Sequence, residues 1–410
     1  MATIRGFRAE RPPKEKAELV SAVPYDVVNT EEARQLAADN PLSFLHVSRP
    51  EIDLPDGTDI YSDAVYQKAA ENFEKLKIAA PLSVEATPSV YVYRLRMGEH
   101  EQTGIAASCS VDEYDADIIR KHERTRKDKE DDRTRHIITL RAQTGPVFLT
   151  YRGRDEINAL VERTKASDPL TDFTAADGVA HTIWRVNDAD QKQLVQEFEQ
   201  VPLLYIADGH HRAASASRAR AALKAENSNH TGDEEYNYFL TVLFPADQLR
   251  ILAYNRTVKD LNKMTADEFT SKLSDHFKVE QADASTPARK GEVCMYLEGR
   301  WHRLTIPPGS VNADDPISSL DVSVLQERVL DPLLAIKDVR TDKRIDFVGG
   351  IRGASALEQS VNEGRAAVAF SLYPVTVEEL MAIADANEIM PPKSTWFEPK
   401  LRDGLLTHLI

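Results

Sequence analysis

Apolar and polar residues alternate through Val90-Tyr91-Val92-Tyr93-Arg94-Leu95, the two-residue period of a strand with one buried face. The apolar run Pro146-Val147-Phe148-Leu149-Thr150-Tyr151 is short enough to be a second, buried strand. Further strand signals fall at 203–206, 239–244, 249–254 and 366–372, and residues 293–306 read as a hairpin turning at Glu298-Gly299-Arg300. Helical patterns separate them. Helices are predicted over 61–78, 212–224, 322–334 and 376–387, and the stretch 212–224 is rich in Ala and Arg, residues that lose little on entering a helix. Another helix starts at Thr30, where Asn29 can cap the first turn while Glu32 returns the bond. Polar residues 226–235 form an exposed loop after the 212–224 helix. With neither an internal repeat nor a low-complexity tract, these patterns support one fold class, α/β or α+β with mixed sheets. A soft boundary after residue 256 divides the chain into regions 1–256 and 257–410.

Composition narrows the function classes. Of 410 residues, 42% are hydrophobic, 29% charged and 7% aromatic, which excludes a disordered, collagen-like or coiled-coil chain. A formal charge of −15 repels nucleic acid and anionic membranes, so neither is expected as a partner. Cys109 and Cys294 are too few and too far apart for a disulfide framework or a zinc site, and read as buried thiols. Residues 1–16 are polar and interrupted by Pro12 and Pro13, unlike a secretory signal, and no apolar run approaches the roughly 20 residues of a membrane span. The expectation is a soluble, cytoplasmic protein.

The sharpest chemical signal is Tyr205-Ile206-Ala207-Asp208-Gly209-His210-His211-Arg212, an apolar strand entering a tight turn and a helix. A helix N-terminus offers N–H groups and a positive dipole end, Gly209 lets backbone approach a ligand, and Arg212 supplies a forked donor for phosphate oxygens. Asp208 can bind Mg²⁺ or accept a proton; the competing reading makes it a helix cap. His210 and His211 point about 100° apart on a helix and cannot share a metal as an i, i+4 pair could. A second signal is the charged run 121–133. Taken as a helix, it aligns His122, Arg126, Lys129 and Arg133 on one face, either as a phosphate-facing strip or as a solvated helix laced with ion pairs. The third, Pro391-Pro392-Lys393-Ser394-Thr395-Trp396-Phe397, lacks the glycines of a Walker motif, yet a proline-stiffened loop can present Lys393, Ser394 and Thr395 to phosphate. A packed loop anchored by Trp396 and Phe397 fits the same residues. Phe347-Val348-Gly349-Gly350 is a weaker phosphate-cradle signal.

Pro-Tyr-Asp-Val (24–27), Lys-His-Glu-Arg-Thr (121–125), Ala-Asp-Gly-His-His-Arg (207–212), Tyr-Asn-Arg (254–256), Asp-Phe-Val-Gly-Gly (346–350) and the segment 391–400 together resemble the bacterial domain-of-unknown-function family ten-fifteen. Residues 208–212 also resemble the Asp-Gly-His-His-Arg turn of free-serine kinases in the ParB and sulfiredoxin superfamily. That resemblance implies a ParB-like phosphate-donor and catalytic region within 1–256, with 257–410 contributing a closing loop. It implies a phosphotransferase acting on the hydroxyl of free L-serine, with ATP, ADP or pyrophosphate as donor and Mg²⁺ as cofactor. Asp208, Glu123 and His122 would serve catalysis. Gly209, His210, His211, Arg212, Arg126, Lys129, Arg133, Lys393, Ser394 and Thr395 would hold phosphate. The alternative is a non-catalytic, nucleotide-sensing or partner-binding regulator built on the same turn.

Overall fold

The computed structural model describes residues 1–312 and 315–410, and the chain forms two compact units. The first comprises Met1–Lys121, Thr125–Leu249 and Pro399–Ile410; the second comprises His122–Arg124 and Arg250–Glu398. Mixed sheets with flanking helices make this a mixed α/β protein. No helix among the described residues is long and apolar enough to cross a membrane.

In the first unit the sheet is built from β1 (Tyr91–Met97), β2 (His100–Ser110), β3 (Ile119–Arg120), β4 (Val147–Tyr151), β5 (Thr171–Thr174), β6 (Ala180–Arg185), β7 (Leu204–Asp208) and β8 (Tyr238–Pro245). Their order is β3-β7-β4-β8-β2-β1-β6-β5, with Ile4–Arg5 pairing off β2. The β8–β4 and β7–β3 pairs are parallel and the rest antiparallel. Inward residues Val92, Ile105, Leu149, Ile206 and Leu243 share one core with Ala213 and Ala216 of the helix α2 (His210–Glu226). The apolar stretches at 90–95, 146–151, 203–206 and 239–244 thus all become strands. The longest described strand, β2, carries little β-branched or aromatic content, and its small residues are a packing requirement: a Cβ on Gly104 would lie 2.8 Å from the Phe244 ring.

The charged run divides where a continuous helix was expected. Its helix, α1 (Lys127–Leu140), begins with Arg126 as N-cap, so His122 lies off the helix and cannot share its face. Arg126, in extended backbone at the N-cap, also stands outside the helix, and of the strip of four only Lys129 and Arg133 lie on it. Asn29 and Glu32 form the expected reciprocal cap of helix Thr30–Ala37. A separate strand, Thr407–Leu409, pairs with Ala9–Arg11 and Ala142–Gln143, which ties the C-terminal residues 399–410 into the first unit.

The second unit holds an antiparallel sheet in which β9 (Tyr254–Val258) lies between β12 (Ile345–Gly349) and β13 (Val368–Leu372), followed by the hairpin β10 (Glu292–Leu297) and β11 (Arg300–Thr305) and by Lys278–Gln281. The predicted hairpin is present, and Glu298 and Gly299 both take positive φ at its two-residue turn. The helix expected at 322–334 is Asp321–Leu325, extended by a π-helical stretch Gln326–Leu330. The glycine pair after β12 serves packing. Cβ atoms there would sit 2.8 Å from the Trp396 ring at Gly349 and 2.6 Å from the Ala253 carbonyl oxygen at Gly350.

Candidate functional site

β7 delivers Asp208 to the sheet end, and Gly209 turns the chain with φ 95° and ψ 30°, the left-handed region that a side chain resists. A Cβ at Gly209 would also lie 3.1 Å from Nε of Arg212. The 17-residue α2 follows at once, with Gly209 as its N-cap and so no N-cap side chain to bond its first turn. Asp208 is therefore not a cap. Its Oδ2 accepts from Nζ of Lys400 at 3.0 Å and lies 3.7 Å from the Arg212 guanidinium. Burial by itself would raise the Asp208 carboxyl, but Lys400 and Arg212 outweigh it and hold the group well below the usual carboxylate range.

Arg212 is 7% exposed and sits inside an ion-pair network. Its Nη1 donates to the carbonyl of Pro146 at 2.5 Å, and Nη2 lies 3.5 Å from Asp26 without a hydrogen bond among the described residues. Although burial disfavours its charge, Asp26, Asp208 and Asp403 together raise its affinity for the proton. Asp403 shows the opposite balance: burial, with Asp26 adding to it, pushes its carboxyl up to about 7 despite Arg212. Beside this network a cavity of about 30 Å³ is lined by Tyr25, Arg133, His136, Arg212 and Asp403 among others. That is room for a water or two, not for a nucleotide. Burial and Arg133 push His136 down to about 4, so it is neutral there at pH 7.

The other predicted residues of this unit have contacts of their own. His211 accepts the backbone N–H of Arg126 on Nε2 at 3.0 Å, which makes Nε2 the unprotonated ring nitrogen in that contact. His210 is buried. The exposed Arg126 side chain pairs with Asp128 at 2.8 Å, and Lys129 donates to the Tyr61 hydroxyl at 3.2 Å. Arg133 pairs with Asp132, reaches the Ser48 carbonyl and covers the Tyr25 ring at 4.2 Å. Among the described residues, no group of three His, Cys, Asp or Glu side chains could hold a metal ion.

His122, Glu123, Lys393, Ser394 and Thr395 belong to the second unit. There the His122 carbonyl accepts the Met390 amide at 2.8 Å, Lys393 takes positive φ with its ammonium 5.5 Å from the Tyr254 ring centre, and Ser394 donates to the Pro391 carbonyl at 2.5 Å. Trp396 packs edge-on against Tyr254, as an anchoring aromatic would. Asp26, Lys400 and Asp403 do not stand out as site residues in the sequence. Asp26 and Lys400 do lie in motif segments, 24–27 and 391–400, but only the fold brings them to Asp208 and Arg212.

The chain belongs to the family described as protein of unknown function (DUF1015), whose model matches residues 4–323. No curated protein matches it. Solved structures similar to it include a conserved hypothetical protein from Pyrococcus furiosus, at 15% identity and TM-score 0.35 over 75% of this chain and 95% of that one. Another is a free serine kinase in complex with AMP, at 14% identity and TM-score 0.35 over 74% of this chain and 91% of that one. A third is SbnI with C-terminal truncation from Staphylococcus aureus, at 12% identity and TM-score 0.38 over 74% and 87%.

Proposed function

We propose that the protein is a small-molecule phosphotransferase that moves a phosphoryl group from ATP, ADP or pyrophosphate to the hydroxyl of free L-serine. The observation that carries this reading is the left-handed Gly209, N-cap of a 17-residue helix that follows β7 directly. Such a helix end is a ready phosphate site, and Lys400 stands beside it on Asp208. The resemblance of Asp208-Gly209-His210-His211-Arg212 to the turn of free-serine kinases supports the same assignment.

In this reading the α2 N-terminus and Gly209 hold the donor phosphate, while Lys400 and the Asp208–Arg212 pair fix the field around it. Phosphoryl transfer is mostly positioning and charge stabilisation, so the turn need not supply a strong base. Asp208 would be a poor one, because Lys400 and Arg212 lower its proton affinity far below what a base working near pH 7 needs. Oδ2 of Asp208 is already bonded to Lys400, so a protein-held Mg²⁺ cage does not fit these residues, and the ion would arrive on the donor's phosphates. Arg126, the N-cap of α1, and Lys129 in its first turn are the cations offered to an anionic substrate.

A second reading, a nucleotide sensor without turnover, is favoured by one fact: Arg212 is buried, with Nη1 bonded to the Pro146 carbonyl and Nη2 facing Asp26 and Asp208 at 3.5 and 3.7 Å. Phosphorus NMR of the protein with Mg²⁺, L-serine and each donor in turn separates the two. A phosphoserine resonance that Asp208→Asn abolishes is the expected result. Donor binding without phosphoserine selects the sensor, and the absence of both binding and turnover removes both readings.

A further inference from the structure

The second unit buries a cation that the proposed reaction does not use. Arg256 on β9 is 2% exposed, yet among the described residues no carboxylate pairs with it. It donates to the Tyr254 carbonyl and, at the limit of hydrogen-bond range, to the Pro392 carbonyl at 3.4 Å, while Nε has no hydrogen-bond partner among the described residues. The Phe347 ring centre lies 5.4 Å from the guanidinium. Burial pushes the pKa down to about 9, an unusual strain on a side chain that is otherwise always charged. A guanidinium out of water is costly unless an anion and its lone pairs satisfy it.

Arg256 lines a cavity of about 60 Å³ together with Tyr254, Ser394, Tyr373, Lys290 and Asp321. The other basic side chain of this wall, Lys290, is already paired with Glu379. Asp321 accepts the Gly291 amide at 3.0 Å, and the Ser394 hydroxyl hydrogen is spent on Pro391. Arg256 is thus the cavity's one cation without a carboxylate partner among the described residues. Leu320, Val322 and Leu372 supply apolar wall, which strengthens any ion pair formed inside. We infer that this cavity is a binding site for a small oxyanion, a phosphate or a carboxylate group, held by the guanidinium fork of Arg256. Its volume suits the anionic group of a small molecule and excludes a whole nucleotide.

The test uses the full chain, with inorganic phosphate and acetate as separate calorimetric probes. Saturable binding of phosphate alone identifies a phosphate group, and of acetate alone a carboxylate. Arg256→Lys should weaken that binding about tenfold or more, because an ammonium keeps the charge but lacks the fork. No saturable binding of either probe to the wild-type protein overturns the assignment, as does unchanged affinity in Arg256→Lys. Should that variant not fold, crystals of the wild-type protein soaked in arsenate decide the matter. An anomalous peak beside Arg256, or acetate density there in a parallel acetate soak, supports the site, and the absence of both removes it.

Discussion

Asp208 and Lys400 stand 192 positions apart and meet at 3.0 Å, with their side chains 26% and 12% exposed. Because Lys400 helps to hold the Asp208 carboxyl below its unfolded value near 3.9, the pair contributes stability above that pH and loses it as pH falls through the lower folded value. Lys400→Met leaves a mostly buried carboxylate with Arg212 alone, at a cost of about 3 kcal/mol at pH 7. Urea denaturation at pH 7 and pH 3 checks this. The gap between wild type and variant should narrow at pH 3, and equal stabilities at pH 7 would show that the pair contributes nothing.

Elements place these residues only through exceptional backbone. Gly209→Ala forces a side chain into the left-handed region and against Arg212, so it should destabilise the protein by about 1–2 kcal/mol. A midpoint shift of that size in chemical denaturation is expected, together with weaker donor binding in calorimetry. A stable variant that binds donor normally would mean that the turn tolerates a Cβ. At this scale β7 and α2 are legible in the sequence, since an apolar run, a glycine and an Ala-rich stretch follow one another. β2 is not, because its Gly, Ala and Ser residues suit a close approach by Phe244 rather than any intrinsic preference for strand. Nor does the sequence show that the helix of the charged run begins at Lys127, since His122 fits the helical period as well as Arg126 does.

Across the whole molecule, the return of residues 399–410 to the first unit brings Asp403 among Arg212, Arg133 and Asp26. Its folded pKa of about 7 stands above the unfolded value near 3.9, so the protonated carboxyl contributes stability that is full below about pH 4 and lost as pH rises through 7. Over that window the loss is roughly 4 kcal/mol. Asp403→Asn removes this dependence. Relative to wild type, the variant should gain stability between pH 5 and pH 8, read from denaturation midpoints at each pH. Parallel profiles would assign the proton to another group.

Apolar period, turn residues and Ala-rich composition by themselves determined the mixed α/β class, most sheet strands, the Asn29–Glu32 cap and the Asp208–Gly209–Arg212 turn, because each depends on neighbours within a few residues. Tertiary structure decided which charges meet. Asp26, Lys400 and Asp403 carry no local pattern that points to the turn, and Arg256 looks like any strand arginine until its surroundings are seen to lack a carboxylate among the described residues. Ion-pair partners and desolvation are set by distances in space, which sequence separation does not encode.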